Sequence, residues 1–324
     1  MITVLPPQIE PRYQPALPAT YYRRSSLYGY LQTVPLVALM AVSLAGLGAA
    51  PPGWATLCAL GTVLAGYRLT FVVHDCSHRT LFARRVENEA AGWLAAGLLL
   101  ISFPVYRRLH WAHHLHVRSP EDPQGSDYNG LVPGRDRVLW HLLKPLLLGA
   151  VVEKAGAFFA IRHAGLLPSE RASTPAHPMA DPPRVRMSAV AVIVATQAAV
   201  GWLSTGGMAR PAGYPVYLLA LVTLGLFVSR VRSYLEHGAL AASEEPLPIA
   251  RTHPSNWIER NLMAGINFNY HNEHHRWPQV PSRRLPAVYR DVTAARLAPH
   301  EYSPSYWSSL RTLVAASRRP RPGA

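Results

Sequence analysis

The sequence predicts an all-α membrane protein with four transmembrane helices in two hairpins and a cytoplasmic helical cap holding a di-metal site. Three observations predict it. Charged residues make up 15% of the 324 positions while 49% are hydrophobic, a low charge content for a soluble chain. No Asp, Glu, Lys or Arg occurs from Ser25 to Tyr67, from Met187 to Ala209, or from Pro211 to Ser229, and such lengths suit membrane crossing. The 15 histidines avoid these runs and gather in short groups beside them.

Residues 1–27 read as a Pro-rich cytoplasmic arm, without the charged segment, short apolar core and cleavage site of a secretory signal. Residues 28–73 form the first hairpin, because Pro51, Pro52 and Gly53 divide a run too long for one helix. Residues 74–186 form a cytoplasmic segment. Within it Ala90–Tyr106 is an uncharged stretch that reaches only ~26 Å as a helix, just short of the hydrocarbon core. The stretch Pro145–Ile161 is a poor span, since Glu153 and Lys154 fall near its centre. Residues 187–230 form the second hairpin, turning at the Gly206, Gly207, Arg210, Pro211 and Gly213 region. Residues 231–324 form a cytoplasmic cap with a basic tail.

The net charge of +14 and pI near 10.2 do not indicate nucleic acid, because no recognition motif accompanies them. Of 32 Lys and Arg, 14 lie between His74 and Arg186 and 12 from Val231 onward, while the short turns between paired helices carry only Arg210. By the positive-inside rule both termini and both large segments are cytoplasmic. Cys58 and Cys76 are the only cysteines, too few for a disulfide framework or a thiolate metal site.

The chemistry therefore falls to histidine. "HDCSH" (His74, His78), "HWAHH" (His110, His113, His114) and "HNEHH" (His271, His274, His275) place imidazoles at i, i+3 and i+4, on one face of a helix. One such group means little; three on one membrane face supply eight ligands, too many for one ion and suited to two. Imidazole suits zinc, copper, iron or nickel, so ligand type leaves the metal open. No HExxH, CxxC, Walker loop or GxGxxG is present to anchor a hydrolytic or nucleotide reading. A transporter would place polar ligands near the bilayer midplane, whereas these lie outside the spans.

In order and spacing, the three boxes around two apolar hairpins resemble the membrane fatty acid desaturase superfamily. The continuation "NYHNEHHRWPQVPSRRLPAVY" resembles that family's third box, and the likeness covers about residues 28–290. It implies two iron ions at the cytoplasmic mouth of the helices, O2 as co-substrate, and oxidation of an unactivated C–H position in a fatty acyl or other lipid-like substrate. Desaturation is the leading outcome; hydroxylation or oxidative decarboxylation within the same superfamily, on a lipid, carotenoid or free fatty acid, is the alternative. A non-catalytic membrane metal-binding protein is the remaining contrast.

The resemblance also implies His237 of "RSYLEHG" as a ninth ligand, with Ser233 where some members carry a water-bridging Asn. It requires the boxes to meet, so Ala90–Tyr106 must be interfacial or re-entrant. His271 rather than Gln at the head of the third box argues against a front-end desaturase. No HPGG signature points to a fused cytochrome b5 domain, so electrons should come from an external donor such as ferredoxin with its reductase. The expected setting is a bacterial inner membrane. Asp75 and Glu236 are expected to accept protons from the outer nitrogens of ligand imidazoles. Asp122 and Asp127, in a turn-rich loop, are expected to be solvated. Trp111, Tyr270 and Trp277 are expected around the site or at the membrane interface. His116 is off the pattern, and His141, His163, His177, His253 and His300 are expected to be polar surface.

Overall fold

A computed structural model of the chain describes residues 17–49, 51–117, 122–128, 135–153, 183–238 and 249–316. Two long helices come first, α1 (Ser26–Ala49) and α2 (Pro52–His78). Their long apolar stretches satisfy their backbone internally as a bilayer requires, and most of the buried polar side chains of α2 gather at its end, at His74, Asp75, Ser77 and His78. They run antiparallel, since Gly46 faces Cys58 and Gly61 faces Ser43. Small residues at these points let the helices approach closely. Helix α2 continues one turn past the expected end at residue 73, which puts both histidines of the first box on its last turns.

Helices α3 (Arg85–Leu98) and α4 (Phe103–His116) follow, bent 101° from one another. His78 and His110 meet, with their Nε2 atoms 2.8 Å apart, so the chain leaves the end of α2 and returns to it. The pair is thus a bent excursion that begins and ends beside the first box. Its tip is a break in hydrogen bonding among apolar helices, and the protein repairs it: Gln197 Nε2 donates to the Gly97 carbonyl at 2.8 Å, and the Tyr217 hydroxyl donates to that of Leu98. Gly97 lies against Thr196, where a Cβ would come within 2.7 Å of its hydroxyl.

After the short α5 (Arg135–Leu143), α6 (Pro183–Ser204) and the long α7 (Gly213–His237) supply two more membrane-length helices. A π-helical turn, Leu221–Gly225, interrupts α7 without ending it. Four described helices are thus long and apolar enough to cross a membrane. The turn after α6 requires glycine: Gly206 has φ +54°, and a Cβ there would lie 2.5 Å from the Gly48 carbonyl oxygen.

The remainder forms a cap over the ends of α2 and α7, from short helices α8 (Trp257–Glu259), α9 (His271–Arg276), α10 (Leu285–Val288) and α11 (Tyr306–Ala316). Residues 251–253 thread between two other segments. Thr252 donates its N–H to the Glu301 carbonyl and accepts from the N–H of Ser303, while His253 donates to the Asn269 carbonyl. Tyr270, Trp277, Val280, Leu285 and Val288 form a small core of their own behind α9. That core fixes the third histidine box.

Candidate metal centre

Helix periodicity aims the histidines from four directions. His74 and His78 come from the end of α2, His110, His113 and His114 from α4, His237 from the last residue of α7, and His271, His274 and His275 from α9. All nine are buried. Two tight groups result, His74, His78, His110, His114 and His274 in one, and His113, His237 and His275 in the other. His271 stands outside both but adjoins the second, with its Nε2 2.7 Å from that of His237 and 3.2 Å from that of His275. The groups touch, since the rings of His114 and His275 are 4.4 Å apart.

In the first group, neighbouring Nε2 atoms lie 2.8–3.1 Å apart along the chain His78, His110, His114, His274, His74. A neutral imidazole carries one N–H, so an Nε2 touching two others can donate to at most one of them. Protein hydrogen bonds alone leave facing lone pairs. A cation satisfies them all: two nitrogens held ~2.1 Å from one ion at a right angle are ~3.0 Å apart. The donor set therefore fits metal ions well.

Partners on the outer nitrogens point the same way. His74 Nδ1 lies 2.8 Å from Asp75 Oδ1, and His113 Nδ1 lies 2.9 and 3.0 Å from the two Asp122 oxygens. His237 Nδ1 lies 3.0 Å from the Ile249 carbonyl. Each acceptor holds the proton on Nδ1 and leaves the Nε2 lone pair for a metal.

Several expectations need correction. Asp122 is not a solvated loop acid; it is buried, accepts from the Tyr128 hydroxyl and from the N–H of Gln124 at 2.8 Å, and orients His113. Asp127 is instead paired with Arg230, 3.3 Å away. Glu236 occupies the inner side: its Oε2 is 3.6 Å from His271 Nε2, and it accepts from Arg232 and, at 2.7 Å, from the Tyr306 hydroxyl. His141 and His253 are buried, not surface; His253 stacks on Tyr306 with ring centroids 4.2 Å apart. His116 and His300 are half-buried, and His163 and His177 lie outside the described residues.

Glu273, a carboxylate between two residues of the third box, is likewise buried and not a solvated acid. Its buried carboxylate accepts from the hydroxyls of Thr252 and Thr293, tying α9 to the rest of the cap. Both threonines are distant in sequence, so no local pattern could reveal the link. Trp111 packs edge-on against His78, with centroids 4.8 Å apart, whereas Tyr270 and Trp277 belong to the core behind α9.

Burial pushes His110, His114, His271, His274 and His275 well below the ordinary histidine pKa near 6.5, and neighbouring imidazoles add to the effect. The native site thus resists protons that the unfolded chain accepts. Its stability is present above about pH 6.5 and declines as pH falls below it. Metal binding requires the same neutral imidazoles. Metal retention and thermal stability, followed together from pH 8 downward, should therefore fall in parallel below about pH 6.5.

The Asp122→Asn variant leaves the shape and removes the charge that orients His113. Metal affinity at the His113, His237 and His275 group should fall by about 10–100-fold, as measured by chelator competition.

A helical multi-pass membrane protein with a buried cluster of histidines that could hold metal ions defines the class. The chain belongs to the fatty acid desaturase family, whose model matches residues 49–309. It is similar to the sphingolipid delta(4)-desaturase/C4-monooxygenase of Rattus norvegicus, 26% identical over 261 residues that cover 76% of this chain and 67% of that protein. The sphingolipid delta(4)-desaturase of Xenopus tropicalis is 25% identical over 260 residues, with the same coverage of each chain. A shorter match, 42% identical over 62 residues, covers 19% of this chain and 17% of the sn-1 oleoyl-lipid 12-desaturase of a Synechocystis strain. Family and relatives together support an oxidoreductase of the lipid desaturase or hydroxylase type.

Proposed function

We propose that the protein is an O2-dependent di-iron desaturase that oxidises an unactivated C–H position in the chain of a fatty acyl or sphingoid-like lipid. The observation that carries this reading is the convergence of nine buried imidazoles in two adjoining groups at the ends of membrane-length helices. His74, His78, His110, His114 and His274 would hold one iron, and His113, His237, His271 and His275 the other. When bound, the irons supply reduction of O2 and removal of hydrogen from carbon.

The chain's own residues position and protect this chemistry. Asp75, Asp122 and the Ile249 carbonyl fix imidazole orientation, and Glu273 anchors α9. Phe268 stands edge-on to His74 at 4.4 Å and also lies against His271 at 4.6 Å, placing an apolar wall beside both groups. Such a wall excludes water and suits a hydrocarbon substrate. The overall balance takes one O2, two electrons, two protons and two substrate hydrogens to an alkene and two waters. Ferredoxin with its reductase is the proposed electron source. Both termini and the site lie on the cytoplasmic side of a bacterial inner membrane, in line with the distribution of Lys and Arg.

Hydroxylation at the same carbon is the second reading, favoured by the similarity to relatives named as both desaturase and C4-monooxygenase. The test supplies iron-loaded protein with ferredoxin, its reductase, NADPH, O2 and membrane lipids, followed by mass spectrometry. Products lighter by two hydrogens support desaturation, and products heavier by one oxygen support hydroxylation. Unchanged lipids, with iron bound and ferredoxin oxidised no faster than without the protein, would favour a metal-binding protein without catalysis.

A further inference from the structure

Trp111 has a position that the proposed chemistry does not yet use. It is half-buried, edge-on to His78 at 4.8 Å, and 5.9 Å from the ring of His114. Both histidines belong to the five-membered group. The other side chains in ring contact with the nine histidines are placed differently. Tyr128 and Phe268 are buried, and Tyr106 lies one helical turn nearer the bend between α3 and α4 than His110.

The surface around Trp111 is strongly basic. Arg107 and Arg108 precede it by four and three residues on α4 and so share its face. The charges of Arg107 and Arg85 act on Arg79, at the end of α2, and that of Arg186 acts on Arg108. Glu89 offsets part of this charge, 3.2 Å from Arg79 and 3.0 Å from Arg107. Arg85 and Arg186 are exposed and, among the described residues, form no ion pair.

We propose that this patch is the docking surface for an acidic one-electron carrier protein, and that Trp111 is the positioning residue through which its electrons reach the His78 and His114 side of the centre. The proposal rests on the oxidoreductase reading and adds where the electron carrier makes contact and which side chain its electrons pass. In each encounter the carrier's reduced cluster loses one electron and the metal centre gains one. Trp111 bridges the gap without net change, and two encounters supply the two electrons of the reaction. Charge complementarity speeds such encounters and makes them salt-dependent. Anionic lipid headgroups would also satisfy the arginines, but they would gain nothing from an indole wedged against metal-site imidazoles.

The test uses the full chain in detergent and a plant-type [2Fe–2S] ferredoxin of net negative charge as probe. Arg85→Glu and Arg186→Glu should each weaken ferredoxin binding by about tenfold at low salt, with the difference vanishing at high salt. This binding readout needs no turnover. At saturating ferredoxin, Trp111→Leu should slow anaerobic ferredoxin oxidation by more than about tenfold, while Trp111→Phe recovers part of the rate and dithionite reduces all variants alike.

Unchanged ferredoxin binding in both charge variants would overturn the dock. The dock also fails if these variants lose only affinity for phosphatidylglycerol vesicles. A Trp111→Leu variant that loses iron, or is equally slow with dithionite, would make Trp111 structural and overturn its role. A wild-type protein that binds ferredoxin at the patch yet never oxidises it with iron present would refute the oxidoreductase reading and leave the docking surface intact.

Discussion

The His274→Ala variant loses more than about a hundredfold in turnover, exceeding the upper end of what removal of an outer hydrogen-bond partner costs a metal site. His274 joins all three boxes: its Nε2 is 3.0 Å from that of His74 and 3.0 Å from that of His114. Alanine removes a ligand at the centre of the five-membered group and cannot be compensated by a neighbour, because the others already face the same point. Iron content should drop toward one per chain, since His113, His237 and His275 are untouched. His116→Ala, on the same helix as the second box but outside both groups, is the control and keeps its activity. Iron analysis and product formation measured on the same preparations check both statements.

The second large effect is on stability. Glu236 is fully buried and sits between the Arg232 guanidinium and the Tyr306 hydroxyl. Arg232 also lies over the Phe268 ring, 4.8 Å from its centroid, and over Phe71 at 5.2 Å. Arg232→Ala therefore strands a buried carboxylate and removes a cation from two aromatic faces, costing about 3–5 kcal/mol. Lysine is not an adequate substitute, since it lacks the planar fork. The paired replacement Arg232→Met with Glu236→Leu removes both charges and should recover most of the loss. Thermal unfolding in detergent distinguishes the cases: the single variant melts early and the double variant melts near wild type.

Much of this arrangement was legible in the sequence because it rests on local patterns. Uncharged runs marked the four long helices, and i, i+3, i+4 spacing marked each histidine box. The meeting of the boxes also required Ala90–Tyr106 to be interfacial or re-entrant, and the structure divides that stretch between α3 and α4. What sequence did not show were pairings between distant segments. Asp122 resembles any acid in a turn until α4 brings His113 to it, and Glu273 finds Thr252 and Thr293 only after the cap has folded. His253 looked like surface because an isolated histidine usually is. Its burial follows from the threading of residues 251–253 through the cap, which no periodicity encodes. Glu236 was singled out by its neighbour His237, yet its contact is with the inner nitrogen of His271, contributed by another helix.

The central claim is a dinuclear iron centre built by these histidines. The most direct measurement is quantitative metal analysis of protein loaded anaerobically with ferrous iron and freed of loosely bound ions, with wild type and His274→Ala side by side. The account predicts about two irons per wild-type chain, as the two histidine groups require, and fewer in the variant. One iron or none in wild type, or a content that His274→Ala does not change, would contradict it.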